Sequence, residues 1–133
     1  MPWFVKHETF TPETLALSPA ERRPHLDAHR RWVEAQQAAG WSIASGFLLD
    51  ADAAPGGGGL LVIEAPSYAE ADRLIRHDPM ILRGLVTWTL HEWKPVAGAP
   101  LLCSAGMASG CSRDVRSGVG ESSQFLEHLR FVR

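Results

Sequence analysis

Cysteine is scarce in this chain: two occur in 133 residues, Cys103 and Cys111, both in a Gly/Ser-rich stretch near the end. A disulfide framework needs more, and a cysteine zinc site needs tighter pairing. Both therefore read as free thiols of a reducing compartment, and the cytoplasm is the expected location. An excess of one charge is missing too. Thirteen basic and fifteen acidic side chains leave a formal net charge of -2. A nucleic-acid binder would carry a basic stripe, whereas here the basic residues are scattered, with Arg22-Arg23 and Arg30-Arg31 as the close doublets. No apolar run approaches the ~20 residues that a membrane-crossing helix needs. The opening Met1-Pro2-Trp3-Phe4-Val5-Lys6-His7-Glu8 has no basic segment leading into an apolar one, so no secretory leader is expected. The four glycines from Gly56 to Gly59 precede a strand pattern. A phosphate-binding loop must open a helix, so no cofactor is expected.

What remains is the ordinary balance of a globular domain, 45% hydrophobic and 21% charged, at a length that fits one modest core. Residues 3–9 alternate large and polar groups and read as a first strand. Residues 10–17, with Thr11-Pro12, read as a loop. Ser18 then opens a helix: it can cap, Pro19 suits the first helical position, and Glu21 completes a capping box. Leu26, His29, Trp32 or Val33, and Gln36 or Gln37 recur at helical spacing until Gly40 stops the run. Residues 41–49 have strand character. Residues 50–59, with Pro55 and the glycines, form a hairpin loop, and Leu60 to Ala65 is a short strand. Ser67 with Glu70 opens a second helix, through about Arg76, which Asp78-Pro79 ends. Gly84 marks a turn, and Val86 to Trp93 is a fourth strand.

The order is β-α-β-β-α-β, the split pattern of ferredoxin-like α+β folds with an antiparallel sheet. The strands are apolar on both parities, so the sheet's second face needs a cover. A homodimer packed sheet to sheet would supply one; the C-terminal tail is the alternative. Residues 98–120 read as a Gly/Ser-rich linker and 122–133 as a docking helix or an edge strand. The domain expected is therefore 1–97, with a C-terminal extension over 98–133.

Six histidines are the main chemical resource, because imidazole titrates near neutral pH. His25 and His29 share one face of the first helix, but an i,i+4 pair without a third ligand is weak support for a metal, and none is expected. His7, His77, His91 and His128 stand singly. Asp78 lies on a turn fixed by Pro79, where a carboxylate can orient an imidazole or simply cap local N–H groups. Spacing alone favours the cap.

Four stretches resemble the YciI-like (YCII-related) family: Arg23-Pro24-His25-Leu26, Ser45-Gly46, His77-Asp78-Pro79-Met80, and Gly84 followed by a strand ending Trp93-Lys94-Pro95. They stand in the family's order over roughly residues 1–96. The resemblance implies a ferredoxin-like subunit in a dimeric α/β-barrel type of assembly, with a small-molecule cleft holding a paired His and Asp. By the matched motifs those roles fall on His25 and Asp78. Met80 departs from the aromatic residue common after the Asp-Pro pair, and the tail after Pro100 is extra. Well-understood relatives are dehydrochlorinases acting on chlorinated hydroxyquinones, and the fold is similar to that of muconolactone isomerases. The resemblance thus implies an enzyme of lyase or isomerase type, in which His25 moves a proton on an aromatic or enolisable substrate. Trp32, Trp41, Trp88 and Trp93 are candidate apolar walls. The alternatives are a non-enzymatic metabolite-binding module and a dimerisation module; neither nucleic acid nor membrane is an expected partner.

Overall fold

Residue alternation along β1 (Trp3–Phe10) decides how the whole domain is layered. Side chains along a strand point to opposite faces in turn, so Phe4, Lys6, Glu8 and Phe10 share one face, and Trp3, Val5, His7 and Thr9 the other. The computed structural model describes residues 1–98. In it β1 pairs antiparallel with β3 (Gly59–Glu64) on one side and with β4 (Val86–Trp93) on the other. β2 (Ile43–Phe47) pairs antiparallel with β3, giving the strand order β2-β3-β1-β4. The register sets Phe4 opposite Ile63 and Glu92, Lys6 opposite Leu61 and Leu90, and Ile43 opposite Ile63. These residues form the face that the helices cover.

Four helices connect the strands: α1 (Pro12–Ala16), α2 (Pro19–Ala38), α3 (Tyr68–Ile75) and α4 (Pro79–Leu82). The core comprises Phe4, Ile43, Leu61, Ile63 and Leu90 from the sheet, with Ala65, Ala71 and Ile75, and is flanked by Trp32, Val33, Trp41, Leu74, Ile81 and Trp88. Fully burying a side chain such as Phe4 or Ile63 contributes roughly 1.5–3 kcal/mol, so each of these contacts between sheet and helices matters to the stability. α2 starts as its sequence dictates. Ser18 Oγ accepts from the Glu21 N–H at 3.1 Å, and the Glu21 carboxylate accepts from the Ser18 N–H at 3.3 Å.

The structure corrects the expected fold class. Among the described residues the domain is a small α+β unit with a four-stranded antiparallel sheet and four helices, and the sheet runs from β2 to β4 as its outer strands, not closed into a barrel. The ferredoxin-like βαββαβ reading with a dimeric α/β-barrel assembly counted two helices. The other two both start on a residue followed by proline. Thr11 caps α1, its side chain accepting from the Thr14 N–H, and Asp78 caps α4, accepting from the Met80 N–H. A proline in the first turn suits a helix start as well as a loop, and local sequence at both sites points to a loop. Cys103, Cys111, His128 and the segment 99–133 lie outside the described residues. No helix among the described residues is long and apolar enough to cross a membrane.

Candidate functional site

Asp78 is where the chain leaves α3 and enters α4, and its conformation follows from its neighbour. A residue before proline is pushed out of the α region, and Asp78 sits at φ -58°, ψ 125°. Its carboxylate caps α4, with Oδ1 accepting from the Met80 N–H at 3.0 Å. The same Oδ1 lies 2.9 Å from His29 Nδ1, and Oδ2 accepts from Lys6 Nζ at 2.7 Å. Asp78 is 0% exposed and Lys6 1%. Lys6 reaches it because it shares the helix-covered face with Phe4, and it donates a second bond to Glu8 Oε2 at 2.7 Å.

The ionisation of Asp78 is a contest between burial and partners. Burial alone pushes a carboxyl up. The hydrogen bond from His29 and the charge of Lys6 act in the other direction and win, so the carboxyl is held below its ordinary range. At neutral pH Asp78 is therefore an anion that only accepts hydrogen bonds. That assigns the His29 tautomer: Nδ1 carries the proton and donates it to Asp78. In the neutral ring Nε2 is then the acceptor, and Ser45 Oγ lies 2.8 Å from it. The His29 side chain is 15% exposed, and Ser45, on the edge strand β2, is open to solvent. Trp32, one helical turn from His29, has its ring centroid 6.2 Å from the imidazole.

Of the two residues expected to pair, Asp78 lies at this centre and His25 lies beside it. His25 is one turn before His29 on α2, and its Nδ1 accepts from Arg83 Nη1 at 2.8 Å. Asp78 takes His29, Lys6 and the Met80 N–H as its partners. The other histidines of the described residues stand apart: His7 Nε2 donates to the Gly57 carbonyl at 2.8 Å, and His77 and His91 are exposed. Among the described residues no group of three or more His, Cys, Asp or Glu side chains is placed to hold a metal ion. Three of the four tryptophans considered as walls, Trp32, Trp41 and Trp88, pack on the core. Trp93 pairs with Trp3 on the opposite face of the sheet.

Lys6 and Ser45 were not assigned roles from the sequence, yet both had a signal. Lys6 falls in the same parity as Phe4, so a strand with Phe4 inward must bury a cation that then needs an anion. His29 falls in the stripe Leu26, His29, Val33 that faces the sheet. Ser45 gave only a motif.

The fold and the site define a small α+β domain in which a buried carboxylate holds a partly open imidazole. Residues 3–94 match the YCII-related domain, and the chain belongs to that family. Among solved structures it is similar to the 5-chloro-2-hydroxyhydroquinone dehydrochlorinase (TftG) of Burkholderia phenoliruptrix AC1100, in complex with 2,5-dihydroxybenzoquinone. The TM-score is 0.54 at 23% identity, covering 69% of this chain and 93% of that one. The protein At3g17210 of Arabidopsis thaliana gives 0.46 at 12% identity, covering 75% and 100%. An antibiotic biosynthesis monooxygenase gives 0.46 at 17% identity, covering 73% and 100%. At 23% identity the likeness to the dehydrochlorinase is one of fold. No curated protein matches the chain.

Proposed function

We propose that this chain is a lyase or isomerase in which His29, oriented by Asp78, moves a proton on a small hydroxylated or enolisable ring. One observation carries the reading: His29 Nδ1 is 2.9 Å from a fully buried carboxylate, and the ring's other nitrogen lies 2.8 Å from the hydroxyl of the exposed Ser45. A fixed tautomer leaves Nε2 as a base, and the carboxylate offsets the charge that forms when the ring takes a proton. A substrate hydroxyl would replace Ser45 as the donor to Nε2. The dehydrochlorinase of similar fold acts on a chlorinated hydroxyhydroquinone, and we extend only the broad class of such rings to this chain. His25, one turn before His29 and bonded to Arg83, would flank a ring held at His29, where Arg83 would attract an anionic substituent.

The test is proton exchange in deuterium oxide, followed by NMR on hydroxyhydroquinones and related enolisable rings. Wild type should accelerate deuterium uptake at ring carbon, His29→Gln should lose about 100-fold or more, and Asp78→Asn nearly as much. Wild-type rates no faster than buffer across the series, with binding intact by thermal shift, would favour the metabolite-binding module instead.

A homodimer in the cytoplasm belongs to the same proposal. On the sheet face opposite the described helices Val5, Leu60, Val62 and Ala44 are each only partly buried. Such a patch is what a second copy would cover. The scarcity of cysteine supports the reducing compartment.

A further inference from the structure

Ser45 is the group at this site that proton transfer on a bound ring leaves unused. It lies on β2 opposite Leu61, which puts its side chain on the helix-covered face of an edge strand. Its Oγ is 2.8 Å from His29 Nε2, and His29 Nδ1 is 2.9 Å from Asp78 Oδ1. Exposure falls along this line: Ser45 is open, His29 is partly covered and Asp78 is buried. Hydroxyl, imidazole and carboxylate thus stand in sequence within hydrogen-bond reach, and the hydroxyl is at the solvent end. A nucleophile bonded to a base that a third group orients is the arrangement that activates a serine.

We propose that Ser45 is a nucleophile for acyl transfer, acting on small activated esters or thioesters; this rests on the His29–Asp78 pair of the reading above and adds a reacting atom to it. Ser45 Oγ attacks the carbonyl carbon while its proton passes to His29 Nε2 and the carbonyl π pair moves to oxygen. Collapse of the tetrahedral oxyanion breaks the bond to the leaving alkoxide or thiolate, which takes the proton from Nε2 and departs neutral. Water, deprotonated by the same nitrogen, then hydrolyses acyl-Ser45 to the carboxylic acid and free hydroxyl. The sum is ester plus water to acid plus alcohol, and no electrons change hands. A donor for the oxyanion is at hand. Glu64 N–H donates to Ser42 O and Leu48 N–H to Gly58 O, so the even-numbered residues of this run bond to β3. By the antiparallel alternation the Ser45 N–H points away from β3. Trp32 beside His29 offers an apolar surface to a short acyl or aryl group.

Diisopropyl fluorophosphate should release its fluoride on reaction with the full-length protein and leave one diisopropylphosphoryl group, located at Ser45 by peptide mass mapping. p-Nitrophenyl acetate should give a burst equal to the enzyme concentration. Ser45→Ala should abolish both, and His29→Gln should slow labelling by about 100-fold or more, with circular dichroism confirming the fold of each variant. A chain that takes no label overturns the proposal, and so does label on another serine or label at Ser45 undiminished in His29→Gln. Intact ring exchange without any Ser45 adduct sinks this proposal and spares the proton-transfer reading, whereas an adduct without ring exchange does the reverse.

Discussion

Lys6 and Asp78 are the pair on which the site's geometry rests. Each is out of contact with water, and their Nζ–Oδ2 distance is 2.7 Å. Taking two charges out of water costs several kcal/mol per ion, and removing one partner leaves the other uncompensated. Lys6→Met should therefore destabilise the fold by about 3–5 kcal/mol, read from urea unfolding at pH 7. A loss under about 1 kcal/mol would mean that Asp78 finds water or another cation. The same pair fixes the pH dependence. The folded Asp78 carboxyl lies below its unfolded value of about 3.9, held there by His29 and Lys6 against burial. Its contribution is thus complete above roughly pH 5 and is lost as pH falls through ~4 toward the depressed folded value. Urea midpoints measured from pH 7 down to pH 3 should fall steeply in wild type and more gently in Asp78→Asn. Parallel slopes would refute the attribution.

At the scale of elements, α2 holds His25 and His29 at fixed height over the sheet, and its first turn is set by the Ser18–Glu21 box. Ser18→Ala should cost about 0.5–2 kcal/mol, seen in the thermal midpoint, without moving His29, which is three turns away. The approach to β3 is set differently. Gly58 has φ +81°, and an added Cβ would run into the Glu8 carbonyl oxygen. Gly58→Ala should therefore destabilise by about 1–3 kcal/mol, and it should disturb β1 where Glu8 holds Lys6. Retained stability would show that the 50–59 loop shifts freely. At this scale most of the domain was legible. The capping box, Gly40, Gly84 and the strand alternations all act within a few residues. α1 and α4 were not, because a proline after a capping residue suits a loop as well as a helix start, and the choice falls to contacts distant in sequence. Thr14 Oγ1 donates to the Leu85 carbonyl at 2.7 Å, and the Thr11 N–H donates to the same carbonyl at 3.0 Å.

For the whole molecule, the described layer of helices on one sheet face already contains a closed core from Phe4 to Leu90. A chain ending at Gly98 should therefore unfold cooperatively, with a urea midpoint close to that of the full chain; a non-cooperative melt would place part of the core in residues 99–133. The sheet face opposite the described helices carries a second expectation, that a second copy completes its burial. Sedimentation equilibrium should give twice the monomer mass, and Val62→Lys, in the middle of that face, should return it to the monomer. A monomeric wild type would end the homodimer proposal.

Local chemistry in the sequence determined the four strands, the two longer helices, the family motifs and Asp78 as a carboxylate held on a rigid turn. Tertiary structure alone decided which imidazole meets that carboxylate. His25 and His29 share one helix face and differ by one turn. The turn that faces Asp78 is set by how α2 lies across the sheet, a relation between segments 49 residues apart that no local pattern encodes. The same holds for Lys6. Alternation sends it inward, but only the folded chain brings the anion that makes its burial tolerable.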